Sequence, residues 1–147
     1  MSTQPLTYEE FSSVYSRVPR LTVEILIKTV EGTLLTLRDL PSWNNLWHIP
    51  GGTVYYGETV ERAIQRIALD EIGLKVSLVK LLGYLHYPSE MKERGFGWSI
   101  GMVFQCEMAD SSSISLNNQA SQFKFFKTLP ENMVQEQKEF LTNQIEE

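Results

Sequence analysis

An α/β fold, with a mixed sheet held between helical layers, is predicted by three observations. Residues 21–30, 33–38, 75–87 and 98–107 are rich in β-branched and apolar residues. The segment 58–72 carries apolar residues at a 3-4 repeat and reads as one central helix. Shorter helical segments flank this core near each end of the chain. At 147 residues the chain is expected to form one compact domain over residues 1–147, an α/β/α sandwich with a mixed sheet.

Residues 7–16 read as a short helix. Thr7 is its N-cap, Glu10 stands three residues on, and Phe11, Val14 and Tyr15 share a face. Leu21–Val30 and Thr33–Arg38 form a hairpin around Glu31-Gly32. Pro41, Ser42, Asn44 and Asn45 make 39–46 a loop, and Leu46–Pro50 is a short strand ending at Gly51-Gly52. After the central helix come a long strand over Lys75–Tyr87, a charged loop over 88–97 and a strand over Trp98–Glu107. Met108–Gln119 is polar and reads as mobile, Ser121–Lys127 as a strand, and 130–145 as a helix with Phe140, Leu141 and Ile145 inward.

Composition narrows the function. A net charge of −5 argues against general nucleic-acid binding, which needs a basic face. No apolar run is long enough to span a bilayer, and residues 1–20 lack the regions of a signal peptide. Cys106 is the only cysteine, which suits a reducing cytoplasm. In an acidic chain, a phosphate-bearing substrate needs a cation between itself and the protein carboxylates, so clustered acids beside a glycine-rich turn are the feature to seek.

The central helix has one. Its stripe of Val60, Ala63, Ile64, Ile67 and Ala68 reaches position 71 next, and Glu71 stands there beside Asp70. A buried carboxylate costs several kcal/mol, roughly, unless a positive or hydrogen-bonding group meets it. A hard divalent cation resolves the conflict. The plainer reading is that Glu71 snorkels at the helix end while Asp70 pairs with Arg66. Gly73 then ends the helix where a positive φ is often needed.

Trp47-His48-Ile49-Pro50-Gly51-Gly52 leads into Gly52-x5-Glu58-x7-Arg66, then Ile67-Ala68-Leu69-Asp70-Glu71-Ile72-Gly73-Leu74. This run resembles the Nudix box, Gly-x5-Glu-x7-Arg-Glu-U-x-Glu-Glu-x-Gly-U, where U is bulky and aliphatic. The likeness extends from Leu21 to about Lys127. It implies a magnesium-dependent hydrolase, with manganese as an alternative ion, acting on a small nucleotide substrate. Carried over by position, the Gly52 carbonyl and Glu71 are metal ligands, Asp70 assists, and Arg66 braces Glu58.

The box departs from the pattern twice: Asp70 is shorter than the usual glutamate, and Ile67 replaces the glutamate after the arginine. This weakened box resembles the GDP-mannose mannosyl hydrolases, a branch that lacks the same glutamate. In that light Glu24 matches an acidic residue of the first strand, Arg38 an arginine on the diphosphate leaving group, and Gln119 a loop ligand to the metal. The branch has a histidine base after that glutamine; Ala120 and Ser121 stand here instead. Of the two histidines, His86, at a strand end near the charged loop, is the candidate base, and His48 reads as structural. The branch also implies a homodimer packed through the first helix and strand. Aromatic walls for a base and ribose are sought among Trp43, Tyr55, Tyr56, Phe96 and Trp98, with Tyr56 taken as substrate-binding. Lys92, Glu93 and Arg94 read as a solvated run, although Glu90 or Glu93 would supply a base if that loop folded over the site. Three functions fit: a nucleotide-sugar hydrolase attacking carbon or phosphorus, a phosphoanhydride hydrolase, and a non-catalytic nucleotide-binding module.

Overall fold

The computed structural model describes residues 6–109 and 120–146. Its helices are α1 (Tyr8–Tyr15), α2 (Val60–Ile72), α3 (Ser89–Arg94) and α4 (Gln135–Glu146). Its strands are β1 (Arg20–Thr29), β2 (Gly32–Arg38), β3 (Trp47–His48), β4 (Gly51–Thr53), β5 (Val76–His86), β6 (Ser99–Met108) and β7 (Ala120–Phe126).

β1 organises the sheet. Along one edge it pairs in parallel with β6 from Arg20 to Ile27, and β6 pairs antiparallel with β5. It also pairs antiparallel with β4 through Thr22–Glu24 and with β2 at Lys28 and Thr29. β2 carries β3 and β7. The mixed α/β sheet is as the sequence predicts.

Alternation along β1 divides the core. Val23, Ile25 and Ile27 join Ala63, Ile64, Ile67, Ala68 and Ile72 of α2 in one cluster. Leu26 joins Leu141 of α4, Tyr87 and Trp43 in a second cluster. A strand buried on both faces must be apolar at nearly every position, which explains the run from Val23 to Ile27. Glu24 is the exception, and it is buried.

Local signals set the helix ends. Thr7 and Glu10 form a reciprocal capping box on α1. α2 begins at Val60, two residues later than the pattern suggests, with Thr59 at its N-cap, and ends at Gly73 with φ 68°. The segment 88–97 is not wholly loop, since it contains α3. The last helix begins at Gln135, later than the pattern suggests, with Leu141 buried and Phe140 packed against the second cluster. The Ile145 side chain lies outside the described residues.

Candidate active site

A cleft of about 1060 Å³ opens where the start of β1, β4, the inner end of α2 and the 40–43 loop converge. Glu71 lines it. As the periodicity predicts, the side chain continues the buried stripe of α2, and only 9% of it remains exposed. Asp70 also borders the cleft but is solvent-exposed. Gly52, opposite, is packed so closely that an added Cβ would meet Ile67 Cδ1 at 3.3 Å. The isoleucine standing in place of the box glutamate is therefore an apolar plug, 2% exposed, between α2 and the β4 backbone.

This donor set fits one mode of metal binding. Among the described residues, no three His, Cys, Asp or Glu side chains gather into a cage. Magnesium is commonly held by one or two carboxylates with waters and substrate phosphates, not by an all-protein cage. Glu71, Asp70 and the Gly52 carbonyl suit that mode.

The turn before α2 is braced from below. Arg66 donates from Nε to Glu58 Oε2 at 2.7 Å, and from Nη2 to Glu58 Oε1 at 2.9 Å and the Thr53 carbonyl at 2.7 Å. Tyr55 N–H donates to Glu58 Oε1 at 3.0 Å, and the Arg66 guanidinium lies 3.7 Å from the Tyr55 ring centroid. Arg66 thus pairs with Glu58, and this pair ties the glycine strand to the carboxylate helix. The bond to Arg66 holds the Glu58 carboxyl below its usual range.

Glu24 faces the cleft from β1, over Gly51 and Gly101. A Cβ at Gly101 would lie 2.8 Å from Glu24 Oε2, so the glycine makes room for the acid. A chain of hydrogen bonds fixes the carboxylate. The Ile49 N–H can only donate, so Gln137 accepts through Oε1 at 2.7 Å. Gln137 Nε2 then donates to the Tyr87 hydroxyl at 2.8 Å, and Tyr87 donates to Glu24 Oε1 at 3.1 Å. Thr22 Oγ1 lies 3.1 Å from Oε2. Burial nonetheless dominates and raises the Glu24 pKa to about 7.

His48 also borders the cleft. Its Nδ1 lies 2.9 Å from the Ile49 carbonyl, which only accepts, and its Nε2 lies 3.1 Å from Thr36 Oγ1. Burial, aided by the Arg38 charge, lowers its pKa to about 4, so the ring is neutral with the proton on Nδ1.

Three arginines enter from separate elements: Arg20 of β1, Arg38 of β2 and Arg94 of α3. Arg38 donates from Nε to the Ser42 carbonyl and from Nη2 to Ser42 Oγ at 3.0 Å. Its guanidinium lies 5.4 Å from the centroid of Trp43. Burial first, then the charges of Arg94 and Arg20, lower its pKa to about 10. Trp43 has φ 51°, a left-handed backbone uncommon for so bulky a residue. Glu93 accepts its N–H and Ser89 its indole N–H, which hold it there.

Glu24, Arg38, Gly52, Asp70 and Glu71 are therefore gathered in one cleft. Tyr56 is not: it is fully exposed, while its neighbour Tyr55 lines the wall. His86 is also outside. Strand alternation buries Leu85 and Tyr87 and turns His86 outward, against Tyr84 and Trp98. Trp98 is exposed and Phe96 packs on Phe11, so of the candidate aromatics only Trp43 and Tyr55 line the cleft. Arg94 is no solvated residue, because α3 turns it inward onto Phe11, Trp43 and Phe96. Glu90 is buried behind it. Gln119 lies outside the described residues. Arg20, Tyr87 and Gln137 were not legible as site residues; each reads as an isolated polar residue in its own segment.

A glycine strand leading into a carboxylate helix, on a mixed sheet between helices, defines the class. The chain belongs to the Nudix family, the NUDIX domain matching residues 18–143. It is 28% identical, over 121 residues, to the low-salt glycan biosynthesis protein Agl8 of Haloferax volcanii, a match covering 81% of this chain and 78% of that protein. The fold is similar to that of a MutT NUDIX hydrolase from Burkholderia pseudomallei, with TM-score 0.76 and 22% identity over 86% of this chain and 98% of that one. It is also similar to a UDP-X diphosphatase, with TM-score 0.67 and 21% identity over 96% of this chain and 72% of that one. Among the described residues no helix is long and apolar enough to cross a membrane.

Proposed function

We propose that this Nudix hydrolase is a cytoplasmic, single-domain, magnesium-dependent enzyme that splits a nucleotide sugar such as GDP-mannose into nucleoside diphosphate and free sugar. The observation that carries the reading is the cleft itself, which joins a buried helix carboxylate, Glu71, to a guanidinium, Arg38, close enough for each to feel the other's charge. Glu71, Asp70 and the Gly52 carbonyl would hold the ion, and Gln119 is proposed to join them. Bound there, magnesium supplies charge neutralisation for the departing diphosphate.

The protein residues do the remainder. Arg38 holds diphosphate oxygens, its planar donors being suited to two at once. Trp43 and Tyr55 offer aromatic surface to the nucleoside. Ile67 removes the box carboxylate that would serve attack at phosphorus. Glu24 is the fitting proton acceptor for water, since its carboxyl titrates near neutrality and is held at a fixed angle. An oxocarbenium-like transition state at the sugar carbon makes modest demands on that base.

The relatives' names support the substrate class: one speaks of glycan biosynthesis, another of a UDP-linked compound. The test is a screen of nucleotide sugars and dinucleotides, with and without magnesium, in which nucleoside mono- and diphosphate are quantified separately. Nucleoside diphosphate and free sugar, formed only with the metal, are expected. Nucleoside monophosphate would favour a phosphoanhydride hydrolase, and tight binding without any turnover a nucleotide-binding module.

A further inference from the structure

The three arginines are joined through two rings. Arg38 and Arg94 each lie 5.4 Å from the centroid of Trp43, and Arg94 and Arg20 lie 5.6 and 5.3 Å from that of Phe11. All five residues line the cleft. Arg20 and Arg94 share one carboxylate: Glu90 Oε2 is 3.5 Å from Arg20 Nη2 and 3.5 Å from Arg94 Nε. Within this triad two cations meet one anion; Glu24, the other carboxylate that feels Arg20, has its pKa raised by burial to about 7 and so matches that charge only in part. Both contacts are long, and among the described residues Glu90 Oε1 and Arg94 Nε have no hydrogen-bond partner. Like charges gathered in a half-buried corner repel, and burial together with Arg20 lowers the Arg94 pKa. A purely structural ion pair would close these distances and match its charges.

We propose that Arg20 and Arg94 form a second anion subsite, which takes an oxyanion carried by the substrate in addition to its diphosphate. This rests on the reading of the cleft as a site for a diphosphate-linked substrate, and it narrows that class to acidic members. Arg38 feels Glu71 as well as Arg94 and Arg20, so it links the metal end to this corner. Were magnesium held by Glu71 and Asp70, and the diphosphate by Arg38, the Arg20 and Arg94 corner of the cleft would remain for another group. Arg20 is already anchored to Ser99 Oγ at 3.1 Å and Thr53 Oγ1 at 2.8 Å, so little of its side-chain freedom remains to be lost on binding. The oxyanion is a carboxylate on the sugar or a phosphate on the ribose.

The test compares kcat/KM within pairs that differ by one oxyanion: UDP-glucose with UDP-glucuronate, GDP-mannose with GDP-mannuronate, and ADP-ribose with its 2′-phosphate. In the pair whose nucleotide the enzyme accepts, the acidic partner should be favoured by roughly tenfold or more. Arg94→Gln should abolish that preference, and Arg94→Lys should retain part of it. Each preference is a ratio within one variant, so partial loss of folded protein cancels. A preference confined to uronates assigns the anion to the sugar, and one confined to the 2′-phosphate assigns it to the nucleotide. Equal use of both partners in every pair, or a preference that survives Arg94→Gln, would overturn the subsite. If no pair is hydrolysed with magnesium, the catalytic reading fails by itself. Equilibrium titration of the same pairs then decides the subsite, which requires the acidic partner to bind more tightly and falls if the two bind equally.

Discussion

Glu71 is the residue on which the proposed metal site turns. Glu71→Gln keeps the shape of the side chain and removes its charge, so magnesium-dependent turnover should fall by roughly two orders of magnitude or more, with the fold retained. Unchanged turnover and magnesium affinity would remove Glu71 from the site. Glu24 and His48 make opposed contributions to stability. The folded Glu24 pKa is raised from 4.5 to about 7, so its stabilisation is complete below pH 4.5 and is lost as pH rises to 7, on the order of 3 kcal/mol. The folded His48 pKa is lowered from 6.5 to about 4, so its stabilisation is complete above pH 6.5 and is lost as pH falls to 4. Between 4.5 and 6.5 the two slopes nearly cancel. Denaturant unfolding across that range should give a nearly flat wild type, a Glu24→Gln variant that weakens on acidification and a His48→Asn variant that strengthens. Parallel slopes for all three proteins would contradict these burials.

At the scale of elements, the geometry of the proposed site depends on how β4 is fastened to α2. Arg66→Gln leaves Glu58 with a single backbone donor in a part-buried turn, so a loss of about 2 to 4 kcal/mol is expected. A loss under about 1 kcal/mol, measured by denaturant unfolding, would mean that the pair behaves as a solvated one. This loop and helix were legible because their signals are local: glycines, a 3-4 stripe and a terminal Gly73 lie within one contiguous run. α3 was not. Six residues between loops carry no readable amphipathic stripe, and Glu90 and Arg94 turn inward only because α1 and β1, distant in sequence, supply Phe11 and Arg20. Tyr55 and Tyr56 fail for a related reason, since sequence does not say which of two neighbours faces inward.

At the scale of the molecule, the sheet was readable because β1 is apolar on both faces and the strands alternate with one long helix. The cleft was only half readable. Its proposed metal side comes from residues 52–71, whereas its cationic side and the hydrogen-bond chain on Glu24 are assembled from β1, β2, α3, α4 and Tyr87 just past β5, and no spacing links Glu24 to Tyr87 and Gln137. The proposed homodimer also belongs to this scale. α1 buries none of its residues; Val14 on it, and Val18 and Leu21 just after it, are exposed. Light scattering should therefore give twice the mass of one 16.9 kDa chain, and a monomer at all concentrations would end that proposal.

The most direct test of the function is the point of attack, read by running the reaction in oxygen-18 water. With Ile67 filling the space of the box carboxylate, substitution at the sugar carbon is expected, and the label should appear in the free sugar with the nucleoside diphosphate unlabelled. Label in phosphate, with nucleoside monophosphate and sugar phosphate as products, would contradict the account.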